Sequence, residues 1–228
     1  MKPLMICMML ALAGCAGGPP APDWQFNAHD ALGSAVNAYL GGNTRLADTE
    51  FARARTEIAS TGRLDLLARA ALLRCAARVA SLAFDDCAEY QAVARDAPAP
   101  ERAYAGFLAG HWKELAPALL PAAQRALVAA AADDRVPAVD ALSGIQDPLS
   151  RLVAAGVLLR RAHLPPEGIP VAVKTASDQG WRRPLLAWLG VQARRAEGLG
   201  LAAEAARIQR QIDLVSGLEA PGRPVPAP

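Results

Sequence analysis

The sequence predicts an all-α fold, arranged as an irregular array of antiparallel helical hairpins. Apolar residues recur at helical spacing in one segment after another, and glycine or proline interrupts these segments at short intervals. Residues 169–173 are the single stretch whose apolar run could form a strand. Aromatic residues make up 5% of the chain, so alanine and leucine must form the core, which favours closely spaced helices. A compact helical bundle is the alternative arrangement.

Four helices are predicted in the first half of the chain, and short breaks separate them. Gly41-Gly42, Thr61-Gly62 and the Phe-Asp-Asp stretch at 84–86 are the breaks, since glycine and aspartate favour turns and helix caps. The third helix should cover 64–83 and the fourth, shorter one 87–95. The predicted starts are Asn27, Asn43 or Thr44, Leu64 and Cys87.

The second half is predicted to contain seven further helices after a proline-rich linker. This linker, Asp-Ala-Pro-Ala-Pro at 96–100, is a possible seam between two halves. Asp147 and Pro148 mark a clear helix start, because the aspartate can cap the helix and proline suits its first turn. The predicted helices cover about 101–108, 117–132, 138–142, 148–162, 167–179, 184–197 and 201–217, the last with an apolar stripe at Leu201, Ala205, Ile208, Ile212 and Val215.

The charge balance excludes some classes of partner. A formal net charge of +2 over 228 residues gives no overall attraction to nucleic acid or to anionic lipid. A chain of this length is long enough to bury a core of its own. We therefore expect a globular helical domain with no nucleic-acid partner.

The first fifteen residues resemble the signal of bacterial lipoproteins. Lys2 precedes an apolar stretch, Leu4–Leu12, that is too short to span a bilayer as a helix. Leu12-Ala13-Gly14-Cys15 then matches the cleavage box of that family in order and spacing. The resemblance implies removal of residues 1–14 and acylation of Cys15, and several acyl chains would anchor the protein almost permanently. A secreted protein in which Cys15 is incidental is the alternative.

The same resemblance implies a location and a domain layout. In the enterobacterial sorting pattern, aspartate after the lipidated cysteine retains a lipoprotein in the inner membrane, so Ala16 implies the periplasmic face of the outer membrane. The mature chain would then begin with a flexible lipid tether over 15–26. A helical domain over 27–217 follows, and a proline-rich tail over 218–228 is predicted to be disordered.

Two cysteines remain for a disulfide once Cys7 leaves with the signal and Cys15 is lipidated. The periplasm is oxidising, so we predict a bond between Cys75 and Cys87. Continuous helix would separate their Cα atoms by about 18 Å, whereas a disulfide allows at most about 7 Å. The chain must therefore turn between them, at 84–86. A redox or metal site is the alternative, but the sequence has no CxxC motif and no third ligand nearby.

Two helical pairs loosely resemble the tetratricopeptide repeat. The residues of the first pair follow the order of that repeat, but their spacing is longer by about two residues. The second pair, whose second helix is rich in alanine, matches the repeat more weakly. No period of about 34 residues runs through the chain. The resemblance implies an α-solenoid-like adaptor. The matching residues are Leu32, Gly33, Gly41, Ala47, Phe51 and Ala54 in the first pair and Leu189, Gly190 and Gly198 in the second.

No catalytic or metal-binding constellation is found in the sequence, and we predict no enzyme activity and no cofactor. His29, His111 and His163 are far apart in the chain, and no HExxH, GxSxG or Walker A motif is present. The GxGxxA match at 198–203 follows a predicted helix instead of a strand, so it is interpreted as a turn between helices.

One stretch near the C-terminus is a candidate for partner binding. Trp181, Arg182 and Arg183 are of the residue types that dominate interface energetics. They could anchor an acidic or carboxylate-bearing partner. In the alternative interpretation, Trp181 packs against the turn before Pro184 and the two arginines are solvated.

Three hypotheses for function follow from these features. The first is a lipid-anchored, periplasm-facing scaffold or assembly accessory that binds other envelope proteins. It requires a concave groove lined by aromatic and arginine side chains. The second is a carrier of a small apolar ligand or lipid, which requires an enclosed apolar pocket of several hundred Å³. The third is an envelope enzyme such as a cell-wall hydrolase, which requires clustered carboxylates in a cleft.

Overall fold

The computed structural model describes residues 22–112, 115–132 and 138–217. These residues form eleven α-helices, two short 3-10 turns and no strand, which confirms the all-α class. Residues 169–173, the one strand candidate, are helical. The helices are α1 Asp23–Gly41, α2 Thr44–Ala59, α3 Leu64–Ala80, α4 Ala88–Gln91, α5 Ala99–Ala109, α6 Ala122–Ala132, α7 Ala138–Ser143, α8 Pro148–Arg160, α9 Gly168–Asp178, α10 Arg182–Gly198 and α11 Ala202–Ser216.

Helices α1 and α2 form an antiparallel hairpin whose turn is specified by two residues. Gly42 ends α1 with a positive φ of 98°, a conformation that glycine adopts without steric cost. The Asn43 side chain accepts a hydrogen bond from the Leu46 N–H at 3.1 Å and so caps α2. Phe51 and Ala54, both predicted from the repeat-like pattern, are buried in this hairpin.

Helix α3 lies at the centre and packs against α1, α2, α5 and α8. Its crossing with α8 is close, because a Cβ atom added at Gly156 would lie 2.5 Å from the Val79 carbonyl oxygen. Every residue of α8 from Leu152 to Leu158 is buried. Small residues on both helices therefore allow their backbones to approach, as the alanine-rich composition predicted.

The last helices return to the first ones. Trp188 of α10 is fully buried and donates its indole N–H to the carbonyl oxygen of Ala80, at the end of α3, at 3.1 Å. Helix α10 also contacts α1, and α11 packs on α10 as a second hairpin. Hairpins are thus present at both ends of the chain, but the middle helices pack around α3 in the compact manner of the alternative arrangement.

The disulfide prediction is confirmed, with one change in its surroundings. Cys75 and Cys87 are bonded, and their Cα atoms lie 5.8 Å apart. The turn between them is fixed by Asp85, which accepts the Cys87 N–H at 3.1 Å and an Arg78 N–H at 2.8 Å. Because α3 ends at Ala80 and α4, predicted as a helix over 87–95, is a single turn that begins at Ala88, the bond ties α3 to the loop before α4.

Several predicted boundaries differ from the structure: the helix expected over 117–132 begins at Ala122, and the helices expected to end at 83 and 95 end at Ala80 and Gln91. Two further predicted boundaries are wrong for a clear physical reason. Helix α1 begins at Asp23, so the last four residues of the predicted tether are helical. The negative charge of Asp23 in the first turn favours this start electrostatically. The Asn27 side chain donates to Glu57 on α2 instead of capping the helix. The linker at 96–100 is not a seam, because Ala97 is buried in a core shared by both sides of the chain. Its prolines occupy the start of α5, where a missing N–H costs little.

Several predictions lie outside the described residues. They are the signal at 1–14, the lipidated Cys15, the tether up to residue 21 and the proline-rich tail at 218–228. Among the helices that the structure does describe, none combines the length and the apolar character needed to cross a membrane.

Candidate functional site

Two clefts lie side by side on the exposed face of α3, and both are lined by Arg69. The first, of about 570 Å³, lies between α3, the start of α5 and residues 117–121. The second, of about 330 Å³, lies between α3, the first half of α1 and the end of α2. We call the two clefts together the α3 groove. Its apolar lining includes Leu72, Tyr104 and Leu119 in the first cleft and Trp24, Leu32 and Leu66 in the second.

The walls of the first cleft follow from local sequence. Pro100 lies in the first turn of α5, where proline is tolerated, and lines the cleft. Opposite it, Pro117–Leu119 forms one 3-10 turn that leaves Leu119 38% exposed. Large apolar side chains at a cleft mouth are available to a partner.

A buried carboxylate holds Arg69 in place at the junction of the two clefts. Arg69 donates from Nε and Nη2 to Oε1 of Glu101 at 3.0 and 2.6 Å. Glu101 is 6% exposed, whereas the Arg69 side chain is 69% exposed. The second oxygen, Oε2 of Glu101, is buried and has no hydrogen-bond partner among the described residues. A buried carboxylate needs a cation nearby, so Arg69 is fixed over Glu101.

Arg63 is held in a similar way at the second cleft. It donates from Nε and Nη2 to the two oxygens of Asp65 at 3.3 and 2.7 Å. These hydrogen bonds lower the pKa of the Asp65 carboxyl and raise the pKa of the Arg63 guanidinium. His29 also lines this cleft. The groove therefore presents two oriented guanidinium groups and an imidazole beside an apolar floor.

Aromatic rings support the wall that α5 contributes. Tyr104 stacks on Phe107 with their centroids 6.0 Å apart, and Phe107 stacks on Trp112 at 5.9 Å. Burial, with a smaller contribution from the charge of Asp147, raises the pKa of the Tyr104 phenol. The phenol, which is uncharged at neutral pH like that of any tyrosine, offers a hydrogen bond beside apolar surface.

The stretch predicted to bind a partner has intramolecular contacts instead. Arg182 donates to the carbonyl oxygens of Val215 and Ser216, at the end of α11, at 2.9 and 3.0 Å. Arg183 donates to the Tyr39 carbonyl oxygen at 2.6 Å, and its guanidinium lies 4.3 Å from the centre of the Tyr39 ring.

Trp181 is partly buried against the main core. Both arginines thus bind the carbonyl ends of helices, where a cation is favoured. We therefore place the candidate site at the α3 groove, and the partner-binding role of Trp181, Arg182 and Arg183 stays a prediction.

The disulfide is part of a cluster that spacing alone did not reveal. Cys75, Asp85 and Cys87 bring their ligand atoms within 4.8 Å of one another. The two sulfur atoms are bonded to each other, and Asp85 is engaged by Arg78 and by the Cys87 N–H. With the sulfurs joined, the cluster serves as a structural link.

The α3 groove could not be found from sequence, since its walls come from segments that are far apart in the chain. Arg69 and Glu101 are separated by 32 residues, and Trp24 lies on another helix. No protein-family model, no curated protein and no solved structure matches this chain.

Proposed function

We propose that this protein is a lipid-anchored, periplasm-facing scaffold or assembly accessory, and that it binds a segment of another envelope protein in the α3 groove. The observation that carries the proposal is the groove itself. It has an apolar floor, the aromatic residues Trp24 and Tyr104 on its walls, and Arg69 where its two clefts meet. Tryptophan, tyrosine and arginine are the residue types enriched at the centres of protein interfaces.

The shape of the groove supports a chain-like occupant. Ligand pockets for small molecules enclose most of the ligand surface, whereas both clefts open to solvent and share Arg69 in their lining. A peptide segment can place successive side chains in the two clefts while its backbone stays near the surface. Such groove binding uses a few apolar anchors for affinity and polar contacts for specificity.

The lipid anchor supports the location. Cys15 in the lipoprotein-like box would carry the acyl chains, and residues 15–22, before α1, would separate the helical domain from the membrane. Anchoring raises the effective concentration of the groove near other envelope proteins, so a modest affinity is enough for function.

Site-specific photocrosslinking in the native host tests the proposal. A photoreactive amino acid replaces Leu119 at the groove, and in a matched strain it replaces Leu214, an 80% exposed leucine on α11 outside the groove. We expect discrete protein adducts from position 119 and none of the same size from position 214. Identical adducts at both positions, or none at 119, would refute groove binding.

Metabolic labelling tests the anchor separately. With an alkyne analogue of palmitate, we expect the full-length chain to be labelled and to sediment with outer-membrane fractions. Cys15→Ser should lose both the label and the membrane association. A labelled Cys15→Ser protein would show that the acyl chains are attached elsewhere.

The volume of the first cleft favours a second function, the carriage of a small apolar ligand. The first cleft alone, at about 570 Å³ and with mainly apolar walls, is of the size used for small ligands. A carrier of a small apolar ligand should copurify with it. Mass spectrometry of an organic extract of the purified protein would detect that ligand, at a level that falls when Leu119→Trp fills the cleft mouth.

A further inference from the structure

We propose that the α3 groove selects a peptide segment in which a carboxylate is flanked by apolar residues, and that Arg69 is the residue that binds this carboxylate. The inference rests on the proposed function and specifies the chemistry of the partner. Three features of the groove support it: the unused hydrogen-bonding edge of Arg69, the exposed charges, and the apolar surface on each side of Arg69.

The guanidinium of Arg69 is oriented, exposed and only partly used. Both of its hydrogen bonds to Glu101 come from the Nε–Nη2 edge, and among the described residues Nη1 has no partner. An arginine fork binds a carboxylate through two parallel N–H groups. Because Glu101 already fixes the side chain, little conformational entropy remains to be lost when a partner carboxylate docks.

The exposed charge along the groove is mainly positive. The side chains of Arg63 and Arg69 are 53% and 69% exposed. Their acidic partners are more buried, since Glu101, paired with Arg69, is 6% exposed and Asp65, paired with Arg63, is 34% exposed. Arg69, the more exposed of the two arginines, is therefore the group that offers N–H donors to a carboxylate, in a partly apolar environment where charge-assisted hydrogen bonds are strong.

Apolar surface lies on both sides of Arg69. Leu72, Tyr104 and Leu119 line the groove towards α5, and Trp24 and Leu66 line it towards α1. A segment that places its carboxylate at Arg69 therefore needs apolar side chains both before and after it. The expected binding pattern is an aspartate or glutamate between leucine, proline or aromatic residues.

Selection from a random peptide library displayed on phage tests this pattern. The full-length chain, purified in mild detergent, is compared with the Arg69→Gln/Glu101→Gln double variant. That variant removes both charges together and so leaves no unpaired buried carboxylate. Arg207→Gln is the matched control, because it breaks an exposed arginine–glutamate pair on α11, outside the groove. Far-UV circular dichroism melting confirms that each variant is folded.

We expect acidic residues between apolar residues in the peptides selected by the wild type and by Arg207→Gln, and no acidic enrichment with the double variant. For one selected peptide, exchange of its glutamate for glutamine should weaken binding to the wild type by about tenfold or more and leave binding to the double variant unchanged. Arg69→Lys keeps the charge but loses the fork, so its preference for glutamate should be reduced.

The outcomes separate this inference from the proposed function. Selected peptides without an acidic residue, or acidic enrichment that persists in the double variant, would overturn the role of Arg69 and leave groove binding intact. If no peptide is selected and position 119 gives no crosslink in cells, both proposals are wrong. The two results cannot be confused, because the crosslink does not depend on the peptide library.

Discussion

A single added methyl group at Gly156 tests the packing of α3 against α8. The Cβ atom of Gly156→Ala would lie 2.5 Å from the Val79 carbonyl oxygen, 3.1 Å from Val79 Cγ1 and 3.2 Å from the Val79 carbonyl carbon. Two of these three atoms belong to the backbone, so a change of rotamer cannot relieve the clash. The same oxygen accepts the Leu82 N–H at 3.0 Å, in the turn that leads to the disulfide. The helices must therefore move apart, or the turn must distort.

The expected loss of stability can be worked out from two opposing terms. Overpacking of a well-packed core costs about 1–3 kcal/mol, and contact with backbone places this site at the upper end. Alanine in a helix interior is favoured over glycine by about 1 kcal/mol. The net destabilisation should be about 2 kcal/mol, which corresponds to a fall in Tm of about 4–8 °C for a chain of this size.

Gly33→Ala is the matched control. Gly33 lies in the interior of α1, and nothing stands within 4 Å of its added Cβ. Only the helix-propensity term acts there, so we expect stabilisation by up to about 1 kcal/mol. Thermal and urea denaturation followed by circular dichroism measures both variants. A Gly156→Ala protein as stable as the wild type would refute the close crossing, and a similar loss in Gly33→Ala would refute the separation of the two terms.

Three further predictions concern the disulfide, α10 and the groove. Replacing Cys75 and Cys87 together with alanine should lower the unfolding free energy by about 3 kcal/mol in urea, because the loop they close is then unconstrained in the unfolded state; an unchanged midpoint would contradict this. Arg183→Ala should lower the unfolding free energy by about 2 kcal/mol, because its hydrogen bonds to the first hairpin are lost, and it should leave the crosslinks at position 119 unchanged. If the variant is stable but the crosslinks are lost, Arg183 is a partner-binding residue. Burial raises the pKa of Tyr104 above its unfolded value, so the folded state keeps a proton that the unfolded state loses, and stability should fall as pH rises above about 10. In urea titrations between about pH 9 and pH 11, the loss of stability with rising pH should be less steep for Tyr104→Phe than for the wild type. Burial also raises the pKa of Tyr90, so Tyr90 should account for part of the pH dependence that is left in the variant.

Local sequence signals were sufficient where neighbouring residues determine the structure. The Asp147 side chain accepts the Ser150 N–H at 2.7 Å and Pro148 opens α8, as predicted from that pair of residues alone. Residues 199–200, directly after Gly198 at the end of α10, form the turn between α10 and α11, in agreement with the expectation for a glycine preceded by a helix. Each of these depends on backbone hydrogen bonds within a few residues, so tertiary contacts have little influence on them.

Other expectations were wrong because distant residues compete for the same groups. The first helix starts at Asp23 instead of at an Asn27 cap, since the amide of Asn27 contacts Glu57 on the neighbouring helix. The fold also brings the carbonyl end of α1 within reach of Arg183, a contact that the residues next to it in the sequence did not indicate. A side chain with several donors takes the partner that packing supplies, and spacing along the chain does not reveal that partner.

The amino-acid sequence by itself determined the helical class and most helix boundaries, because helical periodicity and caps act locally. It predicted the pairing of Cys75 with Cys87 because the resemblance to a lipoprotein signal assigns Cys7 and Cys15 to other roles. Only the tertiary structure decided that α3 is the central helix and that Arg69 meets Glu101 beside an open groove. The reason is physical: a groove is the space between helices that are far apart in sequence, and its shape depends on how closely small residues such as Gly156 let those helices approach.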